Sequence, residues 1–223
     1  MPTNDKMRFK DRAEAGRELG SALLSYKTQR PIVLALARGG VPVAAEVAMQ
    51  LGAPLDILLV RKIGAPAQPE LALGAVVDGG SPVIVRNADI IRLVRVSETQ
   101  FRALCDRELA EIERRRKRFV GTRKPLSAEG RVTITIDDGI ATGATMRAAL
   151  RATRMHNPET LVLAVPVASA ETLEELRDEV DDIVCLERPE HFEAVGYFYA
   201  DFHQLTDDDV TRILAQFPAE PAG

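Results

Sequence analysis

The chain has 223 residues, of which 46% are hydrophobic and 28% are charged, and its formal net charge is −4. This composition is typical of one globular domain with a sizeable core, and it excludes an intrinsically disordered chain. Such a charge balance provides no overall attraction to nucleic acid or to anionic membranes.

Cysteine usage and apolar runs indicate the cellular location. Cys105 and Cys185 are far apart and outside any metal-ligand spacing, so both are predicted to be core residues in a reducing compartment. The polar N-terminal segment lacks the apolar core of a signal peptide, and no apolar run approaches the ~20 residues of a membrane span. The sequence therefore predicts a cytoplasmic protein with no membrane partner.

The first part of the chain alternates helical patterns with short apolar runs. Continuous apolar runs are typical of strands covered on both faces, and clusters of glycine and proline indicate loops. The predicted elements are helix 11–27, strand 32–37, helix 42–51, strand 55–60, a mobile loop over 61–69, and strands 71–77 and 82–86 joined by a turn at 78–80.

The alternation continues to the end of the chain. Ser97 is a predicted N-cap for a long helix with an apolar stripe. The predicted elements are helix 97–118, a turn at 125–130, strand 131–136, helix 143–155, strand 160–166, helix 170–179, strand 182–186, an irregular aromatic tail over 187–202 and helix 206–216.

This order predicts an α/β fold for the single domain 1–223, with a central, mostly parallel sheet and helices on both faces. Ligands of such sheets bind beyond the carboxyl ends of the strands. Loops 38–41, 61–70 and 137–145 each follow a predicted strand. We therefore expect these three loops to converge on one site.

Residues 132–146 carry the clearest chemistry, because a β-branched strand ends at Asp137 and Asp138 and a small-residue loop then opens a helix. Adjacent carboxylates repel unless hydroxyl donors or a cation such as Mg²⁺ offset the repulsion, and a sugar diol supplies such donors. Small side chains let backbone N–H groups approach a phosphate at a helix start, where Thr142 and Thr145 add hydroxyls. One end of the segment thus fits a diol and the other fits a phosphate.

Either half of this pattern alone also occurs in ordinary strand-to-helix turns with a solvated acid pair, whereas the complete order is far more specific. The segment lacks the Gly-Lys-Ser/Thr ending of a nucleoside-triphosphate loop and the three spaced glycines of a dinucleotide fingerprint. A ribose 5-phosphate combines both features that the segment fits.

Residues 132–146 resemble the binding signature for 5-phosphoribosyl-1-pyrophosphate (PRPP) of type I phosphoribosyltransferases. Residues 36–44 are similar to the pyrophosphate loop of that family, and the start of loop 61–70 resembles its flexible catalytic loop. In order and spacing the match covers about 31–166. The resemblance implies a core over about 31–186, with a small hood formed by the N-terminal helix and residues 187–204.

The resemblance also implies roles for individual residues. Asp137 and Asp138 would be catalytic and would hold the ribose hydroxyls, directly or through Mg²⁺ and water. Arg38 and Gly39 would contact the pyrophosphate, with a cis peptide between them as the expected strained bond, and Arg61 and Lys62 would close over the pyrophosphate. Ordinary turn residues and solvated loop charges are the alternative interpretations of these four. The implied PRPP-binding loop contains Gly139, Ala141, Thr142, Gly143, Ala144 and Thr145.

The implied activity is Mg²⁺-dependent transfer of the phosphoribosyl group of PRPP to a nucleobase-like acceptor, with release of pyrophosphate. Such an enzyme is a glycosyltransferase of the kind used in nucleotide salvage. Residues 61–75 would form a lid that excludes water, and Glu70 is a candidate acid or base for the acceptor. Members of this family are often homodimers, although nothing in the sequence specifies an assembly.

The acceptor is the least specified part of the interpretation. Family members that use 6-oxopurines carry an aspartate where this chain has Ala141, so such acceptors are disfavoured. Adenine-type, pyrimidine-type and non-nucleobase acceptors, including a hydroxyl or an amine, stay open. The aromatics of the tail could stack on a base or pack the tail down, and His191 and His203 could be polar handles or ordinary surface or hydrogen-bonded histidines. These aromatics are Phe192, Tyr197, Phe198, Tyr199 and Phe202.

A second hypothesis is a PRPP-sensing regulator that binds nucleic acid. Its local support is the basic run 114–118, which could contact phosphates or could form the solvated end of a helix. The negative net charge and the lack of a recognisable DNA-binding module favour the enzyme.

Overall fold

The computed structural model describes residues 8–78 and 82–217. Its strands are β1 (Ile32–Leu36), β2 (Leu55–Leu58), β3 (Val60–Ala65), β4 (Gln68–Val77), β5 (Val83–Arg86), β6 (Val132–Ile136), β7 (Thr160–Val167) and β8 (Asp182–Glu187). Its helices are α1 (Arg12–Ala22), α2 (Gly40–Leu51), α3 (Ala88–Leu93), α4 (Glu98–Val120), α5 (Ala144–Arg154), α6 (Ala170–Leu176) and α7 (Asp207–Leu214).

A parallel sheet of β1, β2, β6, β7 and β8 forms the centre of the fold. All residues of β1, β2 and β6 are buried, as the apolar run of β1 predicts for a strand covered on both faces. Alternate residues of β1 enter two different cores, because successive side chains of a strand point to opposite faces. Helices α1, α2, α4 and α7 cover one face, and α5 and α6 cover the other. The predicted α/β fold is confirmed.

A second sheet, formed by β3, β4 and β5 in antiparallel order, lies beside the parallel sheet. The predicted mobile loop over 61–69 is therefore wrong, because these residues form most of β3, a short turn at 66–67 and the start of β4. Irregular pairing around Gly64 accommodates the glycine, and Pro69 lies in a strand where its missing N–H is tolerated at an irregularity. The expected turn at 78–80 lies partly outside the described residues.

Smaller differences concern helix ends and one short helix. Helix α1 ends at Ala22 and continues as a 3₁₀ turn, Leu24–Gln29, within the predicted helix 11–27. The sequence analysis did not predict α3, which begins at the capping side chain of Asn87. Cys105 is buried and Cys185 is partly buried, and both are free thiols. In the described parts of the chain, no helix combines the length and the apolar character of a membrane span.

The strand order β2-β1-β6-β7-β8 positions the site. After β1 the chain moves outward to β2, whereas after β6 it moves to β7 in the opposite direction. A sheet that reverses direction in this way has a crevice beyond the carboxyl ends of the two central strands. Residues 38–40 follow β1 and residues 137–138 follow β6, so both segments border this crevice.

A buried ion cluster joins α4 to both sheets. Asp56 of β2 accepts from Arg116 at 2.7 Å and from Arg123 at 3.1 Å, and its side chain is only 2% exposed. Arg116 also donates to Asp78 at 2.8 Å. The backbone N–H of Leu59 donates to Asp78 at 2.6 Å, and the backbone N–H of Leu126 donates to Asp56 at 3.0 Å. Both carboxylates are therefore fully engaged.

Candidate functional site

Asp137 and Asp138 lie at the carboxyl end of β6, as predicted. The backbone N–H of Asp138 donates to Asp137 Oδ1 at 2.9 Å. Arg12 Nε of α1 donates to Asp138 Oδ2 at 2.7 Å, and the Tyr199 hydroxyl donates to the Asp138 carbonyl at 2.5 Å. Asp138 is thus held by Arg12 and Tyr199, which lie near the two ends of the chain, whereas Asp137 is held by the backbone N–H of the next residue.

The two acids differ in their electrostatics. Burial raises the pKa of the Asp137 carboxyl well above its usual range, and the neighbouring Asp138 charge raises it further. Burial also raises the pKa of Asp138, but the Arg12 hydrogen bond and charge oppose that shift. Unlike Asp138, Asp137 has no cation in direct contact among residues 8–78 and 82–217. An additional cation or hydroxyl donors would therefore be stabilised here.

The loop after β1 touches the acids directly. A Cβ added to Gly39 would lie 2.7 Å from Asp138 Cγ, and a Cβ added to Gly40 would lie 2.8 Å from Asp137 Cα. Glycine is needed at both positions because the two strand-end turns approach each other so closely. A non-proline cis peptide joins Ala37 to Arg38, one bond before the expected position. Arg38 Nη1 lies 3.5 Å from Asp207 Oδ1 of α7.

The small-residue loop ends in the start of α5. Gly143 has φ 71°, a left-handed conformation that favours glycine, and it supplies no side-chain cap to the helix. The first N–H groups of α5 consequently have no side-chain acceptor from the N-cap, and they form the kind of helix start that binds phosphate. Thr142, Ala144 and Thr145 are exposed at this point, whereas the Ala141 carbonyl accepts from Thr172 at 2.8 Å.

A cavity of 570 Å³ joins this loop to the antiparallel sheet. Thr142, Ala144 and Thr145 line one side, and Lys62 of the β3–β4 hairpin lines another. The structure thus brings the hairpin to the phosphate-binding end of the predicted site, while the loop after β1 meets the acid end. Segments 61–70 and 137–145 therefore share this cavity, whereas the loop after β1 meets segment 137–145 at the acids.

The two predicted lid cations have different partners. Arg61 Nη2 lies 2.8 Å from Glu108 of α4, a side chain that is 8% exposed, so Arg61 is held at the base of the hairpin. Lys62 Nζ lies 2.8 Å from Glu70 across the hairpin. This exposed contact with the Lys62 ammonium lowers the pKa of the Glu70 carboxyl.

The aromatic tail packs against the body of the protein. Tyr199 is 2% exposed, and its ring centroid lies 5.5 Å from that of Phe9 and 5.1 Å from that of Phe202. The Arg12 guanidinium lies 3.8 Å above the Phe202 ring. Phe192 and the Phe198 ring stack at 5.8 Å, and Tyr197 is exposed. A cavity of 300 Å³ remains, lined by Arg12, Arg38, Gly39, Phe202, Gln204 and Leu205.

The two histidines of the tail lie at the surface of the protein. The His203 ring contacts Asp201 at 3.0 Å, and the His203 carbonyl rather than its ring accepts from Arg12. His191 is exposed. The sequence analysis missed Arg12, whose partner Asp138 is 126 residues away. Only its position at the start of a helix predicted to be part of the hood could have drawn attention to it.

The basic run 114–118 is largely neutralised within the protein. Arg114 and Arg115 pair with Glu111, at 2.8 and 2.7 Å. Arg116 belongs to the buried ion cluster, and Arg118 lies 3.3 Å from Asp207. The four arginines of the run therefore have intramolecular acidic partners, which weakens the local support for a nucleic-acid surface.

Comparison with known proteins places this geometry in context. The profile of the family described as phosphoribosyl transferase domain matches residues 10–203. Two Mycobacterium tuberculosis proteins, from strains CDC 1551 / Oshkosh and ATCC 25618 / H37Rv, are each 43% identical over 206 residues, which is 92% of this chain and 46% of theirs. Both carry the provisional name phosphoribosyl transferase. The chain thus spans about half the length of these relatives.

A solved structure has nearly the same extent as this chain. The crystal structure of TT1426 from Thermus thermophilus is 42% identical and superposes with a TM-score of 0.82. The alignment covers 95% of this chain and 99% of that one. The fold of this chain is therefore similar to that of TT1426 over nearly the whole of both chains.

Proposed function

Because the chain belongs to the phosphoribosyl transferase domain family, we propose that it transfers the 5-phosphoribosyl group of PRPP to an acceptor and releases pyrophosphate. One observation carries the proposal: an acid pair and an uncapped helix start share the β6–α5 connection at the crevice where the sheet reverses direction. The acids fit the ribose hydroxyls and the helix start fits the 5-phosphate.

Mg²⁺ is the cofactor that we propose. The described residues contain no group of three or more histidine, cysteine or acidic side chains arranged around a metal. Asp137 and Asp138 nevertheless fit Mg²⁺, because this ion prefers oxygen ligands and is often held by one or two carboxylates together with substrate phosphates and water. When bound with PRPP, the ion would offset negative charge on the pyrophosphate.

The chain's own residues would orient the donor. Asp137 and Asp138 accept hydrogen bonds from the ribose hydroxyls. Their negative charge also stabilises the positive charge that develops at C1 as its bond to pyrophosphate breaks. The N–H groups of residues 143–145, with the hydroxyls of Thr142 and Thr145, hold the 5-phosphate. Together these contacts fix both ends of the sugar, so that C1 is presented to the acceptor.

The pyrophosphate would be held by Arg38 and Gly39 on one side and by the β3–β4 hairpin on the other. Arg61 and Lys62 are paired with Glu108 and Glu70. A pyrophosphate must compete with these carboxylates, and the exposed Lys62 contact is the weaker one to displace. Closure of the hairpin over the crevice would exclude water from C1.

For the acceptor we propose a class other than 6-oxopurines, because this chain has Ala141 where family members that use 6-oxopurines carry an aspartate. The cavity of 300 Å³ is lined by Arg38 and Gly39, the residues proposed to hold the pyrophosphate, so we do not assign this cavity to the acceptor.

A substrate panel tests the proposed function. The protein would be incubated with Mg²⁺, PRPP and one acceptor at a time, including adenine, pyrimidine bases, 6-oxopurines and simple amines, and pyrophosphate release would be measured. We expect release with one acceptor class other than the 6-oxopurines. Calorimetry that detects no PRPP binding in the presence of Mg²⁺ would rule out the proposal.

Replacing Gly39 with alanine tests whether the loop after β1 belongs to the same site. Gly39 has φ −56°, which alanine adopts freely, but the added Cβ would push the Asp138 carboxyl away. We expect PRPP to bind about 5- to 100-fold more weakly, the range for forcing a methyl group into a packed position. Calorimetric titration of PRPP into the variant measures the change.

Gly20→Ala is the matched control, because its added Cβ meets only the flexible end of Gln50. PRPP affinity should be unchanged in this variant. Equal affinity in both variants would show that Gly39 lies outside the PRPP site.

A further inference from the structure

Arg12 makes contacts that an ordinary helix-start arginine does not. Its Nε donates to Asp138 Oδ2 at 2.7 Å, and its Nη1 donates to the His203 carbonyl at 3.0 Å. Its guanidinium also lies 3.8 Å above the Phe202 ring. The residue is 8% exposed, so these contacts form largely out of water, where hydrogen bonds to charged groups are strong.

The contact with Asp138 is directional. Arg12 engages Oδ2, while the backbone of Gly39 closes against the same carboxyl group from the loop after β1. The Asp138 carbonyl is in turn fixed by the Tyr199 hydroxyl. A carboxyl group held in this way has one orientation, in which Arg12 occupies Oδ2. Free rotation of this side chain would otherwise have to be lost when a ligand binds.

We infer that Arg12 is a positioning residue for the sugar: it holds the Asp138 carboxyl so that its second oxygen accepts a ribose hydroxyl. This inference rests on the proposed function, because it assigns PRPP to the acid pair. It makes α1 and the tail contributors to donor binding as well as parts of the hood. Arg12 itself acts through Asp138 and does not contact the sugar.

A purely structural role would have a different signature. Arg12 also lines the cavity that contains Arg38 and Gly39, so its charge could in principle affect any anion that binds there. A lysine at this position keeps the positive charge but loses the paired geometry of the guanidinium. Arg12→Lys therefore separates the positioning of Asp138 from the charge of the pocket.

The experiment compares two probes by calorimetry in the presence of Mg²⁺. PRPP needs the acid pair for its ribose hydroxyls, whereas inorganic pyrophosphate has no ribose and needs Arg38, Gly39 and the β3–β4 hairpin. We expect Arg12→Lys and Arg12→Gln to bind PRPP about 10- to 100-fold more weakly than the wild type, the loss corresponding to one charge-assisted hydrogen bond. Pyrophosphate affinity should be unchanged in Arg12→Lys.

Arg17→Gln is the matched control, because Arg17 lies on the same helix and pairs with Glu46 at 3.3 Å in an exposed contact. It should bind both probes like the wild type. Wild-type PRPP affinity in Arg12→Lys and Arg12→Gln, or an equal loss for both probes in Arg12→Lys, would overturn the inference alone. Failure of the wild-type protein to bind PRPP would overturn the proposed function as well.

Discussion

Asp137→Asn combined with Asp138→Asn is expected to weaken PRPP binding by a factor on the order of 10²–10⁴, which places it beyond ordinary calorimetric detection. Each carboxylate would lose a charge-assisted hydrogen bond to a ribose hydroxyl, and Mg²⁺ would lose its protein ligands. The fold should persist, because asparagine has nearly the same shape and burial, which raises the pKa of both acids, disfavours their charged forms. The Tm should nevertheless fall, because Arg12 loses its buried carboxylate partner. Thermal unfolding of the double variant checks this point.

The chain supplies a matched control for the double variant. Asp181 and Asp182 are also adjacent acids, but they lie at the start of β8, where the amino ends of the parallel strands lie. Their replacement by asparagine removes the same charge and should leave PRPP affinity unchanged. Equal PRPP affinity in the wild type and in the 137/138 variant would show that PRPP does not bind to the acid pair at the carboxyl end of β6.

The largest effect on stability is expected for Asp56→Asn. The change leaves Arg116 and Arg123 buried with much of their countercharge removed, and breaking a buried pair in this way typically destabilises a protein by about 3–5 kcal/mol. That is a large share of the roughly 5–15 kcal/mol that separates a folded domain from its unfolded chain. Denaturant unfolding monitored by circular dichroism measures the free energy of unfolding.

Asp89→Asn serves as the reference variant for this experiment. Asp89 pairs with Arg92, but both side chains are strongly exposed, at 84% and 78%, and such pairs contribute about 0–1 kcal/mol. If the two variants unfold at the same denaturant concentration, the buried cluster does not stabilise the fold in the way that its geometry indicates.

The sequence was sufficient for the parallel sheet and for the position of the acid pair. A uniform apolar run identifies β1, because a strand covered on both faces needs apolar side chains on both, and a run of β-branched residues identifies β6. The acids and the small-residue loop are contiguous in the chain, so their proximity needs no knowledge of the tertiary fold. Their individual roles stay predictions until the binding experiments are done.

The hairpin of β3 and β4 was not predictable by the same reasoning. Gly64, Pro66 and Pro69 are typical of loops, and only the irregular pairing observed around Gly64 shows how strands accommodate them. The partners of Asp56 were also hidden. An acid within a buried strand indicates a buried cation, but Arg116 and Arg123 are 60 and 67 residues away.

The hydrogen bond from Arg12 to the His203 carbonyl spans 191 residues, and it has a consequence for synthesis. A nascent chain can pair β1 with β2 soon after residue 58 emerges from the ribosome. The hydrogen bonds that tie Arg12 and Asp138 to His203 and Tyr199 can form only after the tail has emerged. Contacts of such separation close late, because a long segment must first be ordered to bring its ends together. Newly made molecules should therefore acquire their sheet before they acquire a competent sugar pocket.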